Sequence, residues 1–345
     1  MLYLLFTADS FRESTLDELA KISGYKIIDE YRNLIIADLK SPNVERRLDR
    51  SVFVYSYFPI ASAVKLKKGD YTEFLRKQIK KLKISKDTKL KLECYDINCK
   101  RGYSAKEIEI AIGSHLEGKG HNIDIKTPEV LAYVILLNGV CYSGSVKIQG
   151  NKNAFVDPFR RYKEKLVSRA EFKIAEAFGT FNIGKVQTAI DLGAAPGGWS
   201  LYLARKGSAV VAIDGAELDV KAIKSNSVDV IKTAKILDME NLKPKSVVHL
   251  KLNVDKAIKK LGVGQVDLLA NDMNMGGINS SKAVLRYWRF LKKGGVLLMT
   301  VKCMRRNVLK YVKEVEGELG GKFSNMQLKV LPHNRQEVTL FAKRI

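Results

Sequence analysis

Long hydrophobic runs are missing from this chain of 345 residues. None approaches the ~18 residues that a membrane-spanning helix needs. Met1 to Thr7 is apolar but short, and no basic segment precedes it, so it reads as a first strand and not as a signal peptide. Cysteine is scarce. Cys94, Cys99, Cys141 and Cys303 fit no C-x-x-C zinc pattern, and reduced, partly buried thiols of a cytoplasmic protein are the reading that fits. The four histidines, His115, His121, His249 and His333, are scattered, and no metal site is expected. Acid is in deficit: 37 Asp and Glu face 60 Lys and Arg, a formal charge of +23. Such an excess is extreme for a metabolic enzyme and implies a polyanionic partner, most simply nucleic acid. A basic surface that serves solubility is the plainer alternative. There is no internal repeat and no low-complexity segment. A hydrophobic content of 46% is ample for packed cores, and the length suggests two or three domains.

What is present centres on Ala189-Ile190-Asp191-Leu192-Gly193-Ala194-Ala195-Pro196-Gly197-Gly198-Trp199-Ser200. Ala189 to Leu192 reads as a strand buried on both faces. Gly193, Gly197 and Gly198 allow a tight turn and close approach of backbone to a ligand. Pro196 suits the first turn of the helix expected to follow, whose N-terminus offers N–H groups and positive dipole to an anion. A second strand, Ala209 to Ile213, ends in Asp214, about 20 residues on, where a ribose-binding acid falls in nucleotide-binding sheets. The loop is not G-x-G-x-x-G, so the dinucleotide fingerprint is not met.

Residues 1–60 alternate strand and helix patterns, a small α+β module of ferredoxin-like kind. Strands are expected over Leu2–Thr7, Tyr25–Ile28, Leu34–Leu39 and Val52–Ile60, and a helix over Ser14–Ser23, where Thr15 and Glu18 have capping-box spacing. Residues 61–150 form a second module. Between Lys65 and Lys106 stand fourteen Lys or Arg and five Asp or Glu, a candidate phosphate-binding face. Over Tyr71–Lys83 the spacing of Leu75, Ile79 and Leu82 is helical, so a solvated helix face is the alternative there. Leu90–Asp96 reads as a strand, Ala105–Leu116 as a helix capped by Ser104, and Val130–Leu137 with Val140–Ser143 as a hairpin about Asn138-Gly139. Residues 151–160 read as a linker, and a basic run, Arg160, Arg161, Lys163, Lys165 and Arg169, follows.

From 161 to 345 strands are expected near 189–193, 209–214, 246–252, 266–272, 295–302, 326–332 and 336–342. Helices are expected near 168–178, 197–206, 254–261, 280–291 and 305–319. The alternation predicts a doubly wound α/β sheet with an antiparallel edge pair at its end. Ligands of such sheets sit at the carboxyl ends of the parallel strands. Asp272 closes the buried strand Leu268 to Asn271, and Lys302 closes Leu297 to Val301. Glu337 opens the last strand, and Lys173 lies in the helix Ser168 to Phe178. Each alone has a bland reading, since charged residues commonly close strands at a surface.

Together with D-L-G-A-A-P-G-G-W-S and A-I-D-G, these segments resemble the FtsJ-type RNA ribose 2′-O-methyltransferases. The resemblance runs from Ser168 to Lys343 and is strongest with the THUMP-containing bacterial branch that methylates a cytidine ribose of large-subunit rRNA. It implies a Rossmann-like fold, S-adenosylmethionine as cofactor, RNA as partner and a Lys–Asp–Lys–Glu tetrad at Lys173, Asp272, Lys302 and Glu337. A ribose hydroxyl must lose its proton as it attacks the methyl carbon. Lys302 is the expected base, with Lys173 as the neighbouring cation that lowers its proton affinity and the acids as orienting groups. For the cofactor the resemblance implies Asp191, Gly193, Ala195, Pro196, Gly197, Gly198, Trp199, Asp214 and Asp272. The adenine position carries Asn253 in place of an acid, with Asp255 close by, so either is a candidate. Asn274-Met275 stands where many relatives have A-P-N, at the border of the substrate pocket.

Asp96 to Ser104, the helix after it and Val134 to Gly144 resemble a THUMP domain, an RNA-binding module. THUMP domains also accompany guanine N2-methyltransferases, but those carry an Asn/Asp-Pro-Pro-Phe/Tyr signature, and Asn271-Asp272-Met273-Asn274 has no proline. An RNA-binding protein with an inactive methyltransferase fold is opposed by the complete tetrad. The choice between rRNA and tRNA stays open.

Overall fold

A computed structural model describes residues 1–66, 71–99, 104–148, 168–233, 235–303 and 307–345. The expected linker, the basic residues from Arg160 to Lys165 and the segment Lys100 to Tyr103 lie outside these. The chain divides into two compact units, Met1–Phe159 and Arg160–Ile345.

The first unit holds two four-stranded sheets. Its elements are β1 (Leu2–Phe6), α1 (Arg12–Ile22), β2 (Tyr25–Tyr31), β3 (Leu34–Leu39), α2 (Val44–Leu48), β4 (Ser56–Pro59), β5 (Ser62–Lys65), α3 (Tyr71–Lys80), β6 (Leu90–Asp96), α4 (Ala105–Gly118), β7 (Val130–Leu137) and β8 (Val140–Lys147). One sheet runs β2-β3-β1-β4, the other β5-β8-β7-β6, and in the second only β6 and β7 are parallel. The hairpin forms as Asn138-Gly139 predicts, with both residues at positive φ. Ser104 and Glu107 close a capping box on α4. The capping box expected at Thr15 and Glu18 does not form. The helix starts earlier, the Thr15 hydroxyl turns back to the Phe11 carbonyl, and the Glu18 carboxylate accepts N–H bonds from Val52 and Phe53. Those bonds also hold 52–55 as a loop, which shortens the strand expected over Val52–Ile60.

The second unit contains α5 (Ala170–Thr180), β9 (Thr188–Leu192), α6 (Gly198–Arg205), β10 (Ala209–Ile213), α7 (Val220–Lys224), β11 (Asp229–Lys232), β12 (Ser246–Leu250), α8 (Val254–Ala257), β13 (Val266–Asn271), α9 (Gly277–Tyr287), β14 (Leu291–Lys302), α10 (Val308–Leu319), β15 (Phe323–Lys329) and β16 (Glu337–Arg344). They build one eight-stranded sheet, β11-β12-β10-β9-β13-β14-β16-β15. β16 lies antiparallel to both its neighbours, and the rest of the sheet is parallel. The chain winds outward from β9 to one side and then restarts at β13 on the other. That reversal leaves a crevice at the carboxyl ends of β9 and β13, where open α/β sheets bind ligands. The central strands are fully buried apolar runs, such as Ala209 to Ile213, as coverage by helices on both faces requires. The short α7 and the edge strand β11 were not legible in the sequence; β11 is largely exposed and has no apolar period.

All four cysteines are buried and unbridged. Among the described residues no helix is long and apolar enough to cross a membrane, and no cluster of His, Cys, Asp or Glu could hold a metal ion.

Candidate active site

The glycine loop joins β9 to α6. Gly193 has φ +75°, and a Cβ there would lie 2.7 Å from the Met273 side chain and 2.9 Å from its Cα. Only glycine lets this loop lie against the chain leaving β13. The Asp272 N–H, bonded to the Leu192 carbonyl at 3.2 Å, fastens the same two strand ends together. The Gly193 and Ala194 N–H groups both donate to Ile213 at the end of β10. α6 starts at Gly198 with Gly197 as its N-cap, so Pro196 stands before the helix and not in its first turn. Gly193, Ala195 and Pro196 are accessible, whereas Gly197, Gly198 and Trp199 are buried, and Trp199 belongs to the core.

Two acids serve this loop. Asp214 accepts from the Ala195 N–H at 3.0 Å and the Ala216 N–H at 2.8 Å. A carboxylate has about four lone-pair sites, so Asp214 keeps capacity for further donors. Asp191 is fully buried and accepts the Ser200 hydroxyl at 2.7 Å. Burial pushes its carboxyl up to about 7. Its Oδ1 and the Trp199 indole nitrogen are buried without a hydrogen-bond partner among the described residues. Beyond β12, Asn253 is exposed and caps α8 by accepting from Lys256, while Asp255 pairs with Arg286 at 2.9 Å.

Lys173, Asp272, Lys302 and Glu337 come together in an alternating ring. Lys173 Nζ lies 2.9 Å from Asp272 and 2.8 Å from Glu337. Lys302 pairs with Glu337 and stands 3.6 Å from Asp272. Strand register produces the second contact, because Lys302 and Glu337 are direct partners in the antiparallel β14–β16 ladder. The Thr300 hydroxyl donates to Asp272 at 2.7 Å. Burial pushes the Lys173 ammonium down, but Asp272 and Glu337 outweigh it and its pKa is raised. Burial likewise raises Glu337, and the two lysines outweigh it, so that carboxyl is held below its ordinary range. Lys302 and Asp272, with side chains 19% and 14% exposed, are the accessible members, against 8% and 6% for Lys173 and Glu337. Each lysine is bonded to carboxylates, and Lys173 and Lys302 share Asp272 and Glu337 as partners.

Several positioning residues escaped the sequence reading. Asn271, fully buried, donates to the Ser280 hydroxyl at 2.9 Å and accepts from the Met273 N–H at 3.1 Å, which fixes the turn behind Asp272. Asn334 accepts from the Leu331 N–H and the Thr339 hydroxyl and donates to Glu337 at 3.3 Å. Glu176, one turn after Phe172 and Lys173 on α5, accepts the His333 N–H and meets its Nδ1. The A-E-F-K-I-A-E run showed Glu176 only as part of a helix pattern.

A glycine loop at the end of the first strand, an acid at the end of the second and a charged cluster beyond the switch point define a Rossmann-like methyltransferase domain. Residues 166–329, most of the Arg160–Ile345 unit, match the family of FtsJ-like methyltransferases. Over 192 residues the chain is 27% identical to an uncharacterized protein of Methanocaldococcus jannaschii, covering 54% of this chain and 49% of that one. Over 158 residues it is 27% identical to ribosomal RNA large subunit methyltransferase M of Shewanella putrefaciens, covering 42% of this chain and 44% of that protein. The crystal structure of TrmN from Thermus thermophilus aligns with 100% of both chains at 15% identity and a TM-score of 0.41. The chain spans about half the length of the curated relatives it matches.

Proposed function

We propose that this protein transfers a methyl group from S-adenosylmethionine to a ribose 2′-hydroxyl of RNA, in large-subunit rRNA. The observation that carries the reading is the Lys173–Asp272–Lys302–Glu337 ring, at the crevice beside the glycine loop of an FtsJ-like domain. The similarity to a ribosomal RNA large subunit methyltransferase of Shewanella supports rRNA as the substrate.

The residues present fit the cofactor. The loop at Gly193 has no room for a Cβ, and Asp191 Oδ1 is an orphaned buried acceptor beneath it. Gly193, Ala195 and Pro196 would hold the methionine end, over the buried Gly197, Gly198 and Trp199. Asp214 would take the ribose hydroxyls with its spare lone pairs, and Asn253 the adenine. When bound, S-adenosylmethionine supplies a methyl group activated by its sulfonium charge. The chain does the rest. Asp272 and Lys302 orient the incoming hydroxyl. Lys302 Nζ, as the free amine, takes the hydroxyl proton as the oxygen attacks. Lys173, paired with both Asp272 and Glu337, offsets part of the carboxylate charge that faces Lys302. In-line alignment of the hydroxyl is the larger contribution.

The Met1–Phe159 unit is proposed to divide into the ferredoxin-like module and a THUMP-like RNA-binding domain joined by the linker to the catalytic unit. Lys77, Lys80, Lys81, Lys83, Lys86, Lys89 and Lys91 supply its basic character.

Nucleotide mapping by mass spectrometry of rRNA and tRNA, with and without the gene, tests the reading. One ribose methylation should vanish from large-subunit rRNA and return when purified protein and S-adenosylmethionine are added. Loss of a tRNA methylation would move the substrate, and loss of a base methylation would overturn the chemistry.

A further inference from the structure

In the Arg160–Ile345 unit, the end of the sheet away from the crevice gathers charge of one sign. β14 starts there. Val266 of β13 pairs with Leu291, but Leu268 pairs with Val296, so a two-residue step on β13 matches a five-residue step on β14. The excess is pushed out of the ladder as Lys292-Lys293-Gly294-Gly295, and the first three of these are exposed. Gly294, at φ +72°, allows the turn. A bulge re-aims side chains, here two lysines into solvent.

Packing brings three further cations to the same end. Lys322 directly precedes β15, and Arg344 closes β16 opposite Phe323. Lys322 Nζ lies 4.6 Å, and the Arg344 guanidinium carbon 4.5 Å, from the centre of the Trp288 ring. Arg344 also donates to the carbonyls of Arg289 and Leu291, which seats the exposed Arg289 beside it. Lys292 meets Asp267 at 2.7 Å, but that carboxylate already accepts from the N–H groups of Gln187 and Thr188. Arg289, Lys293, Lys322 and Arg344 form no ion pair among the described residues. An indole face attracts each cation, yet cations gathered on one ring repel one another, and a polyanion relieves that repulsion. From Val296 to Lys302 β14 advances six residues in regular register with β16, roughly 20 Å, so this surface is separate from the ring of four charges.

We propose that Arg289, Lys292, Lys293, Lys322 and Arg344 form a second RNA-binding surface that grips phosphates of the substrate remote from the methylated ribose, a proposal that rests on the RNA-substrate reading above. Contacts to backbone phosphates fix the position of an RNA without reading its sequence. An RNA that reaches both this surface and the crevice is a folded molecule and not a short oligonucleotide.

The test is filter binding of ribosomal RNA from cells lacking the gene to the full-length protein, with cofactor binding by calorimetry as the control for folding. Wild type is compared with the triple variant Arg289→Glu, Lys293→Glu, Lys322→Glu. A second triple variant of equal charge, Lys221→Glu, Lys282→Glu, Lys313→Glu, changes exposed positions on α7, α9 and α10. The first should bind RNA at least about tenfold more weakly, with a log–log salt slope shallower by roughly two units and cofactor binding unchanged. The second should lose no more than about threefold. Lys293→Arg with Lys322→Arg should bind as wild type does, because the charge is kept. Equal losses in the two triple variants overturn the proposal, since net charge alone then explains them. Wild-type affinity in the first also overturns it, and leaves an acidic protein as the partner such a surface fits. If the first triple variant fails to bind the cofactor, Lys293→Glu alone is read, with a loss of about threefold expected and wild-type affinity again decisive against the surface. Binding is read without methylation, so a protein that binds RNA but methylates no ribose leaves the surface standing. A wild-type protein that binds neither rRNA nor tRNA removes the RNA reading and the surface with it.

Discussion

Lys302 differs from Lys173 in what surrounds it. Lys173 is buried between two carboxylates with its pKa raised, so it is a standing cation. Lys302 is the more exposed of the two lysines. Lys302→Ala should abolish methyl transfer with cofactor binding intact, and Lys302→Arg should fail as well, because a guanidinium stays protonated. Lys173→Ala leaves two carboxylates against one ammonium, so Lys302 holds its proton more tightly and the alkaline rise in rate moves to higher pH. A single-turnover pH–rate profile checks both, and wild-type rates in Lys302→Arg would remove Lys302 as the base. Asp191 offers a separate test. Its folded-state value of about 7 lies above its ordinary 3.8, so the native protein binds the extra proton between those limits. Stability of the ligand-free protein therefore falls as pH rises through that window. Asp191→Asn removes the charge and keeps an acceptor for Ser200. It should raise stability at pH 8 by on the order of 1–4 kcal/mol and flatten the slope between pH 4 and 7, as read from thermal unfolding.

At the scale of elements, the site depends on the carboxyl ends of β9, β10 and β13 brought level beside β14. Leu192, Asn271 and Met299 share register across β9, β13 and β14, and Asp214 follows the neighbouring β10. Asp214 has two duties, since it fastens the loop through Ala195 and is proposed to hold the cofactor ribose. Asp214→Ala should weaken S-adenosylmethionine by roughly 1.5–3 kcal/mol, measured by calorimetry, with RNA affinity nearly unchanged. An unaltered cofactor dissociation constant would move the ribose elsewhere.

For the whole molecule, the +23 charge makes ionic strength the variable to control. Neutralising several phosphates should give RNA affinity a log–log salt slope of several units. The Arg160–Ile345 unit has its own core, so it should fold and bind S-adenosylmethionine alone while losing most RNA affinity. Full RNA affinity in that fragment would defeat the proposed role of Met1–Phe159.

The sequence by itself determined what neighbouring residues decide. A run such as Ala209 to Ile213 has to be a covered strand, and the glycines at 193 and 197 take positive φ. The strand–helix alternation allows few topologies, which is why the doubly wound sheet and the strand ends at Asp272 and Lys302 were legible. Only the tertiary structure decided which charges touch. Lys302 meets Glu337 across 35 residues because two antiparallel strands share a register, and Glu176 meets His333 across 157. Backbone conformation is a local steric property, whereas the environment of a charge is set by whatever long-range packing brings against it. For the same reason the capping box at Thr15 and Glu18 failed, since Glu18 found stronger donors in a loop more than thirty residues away.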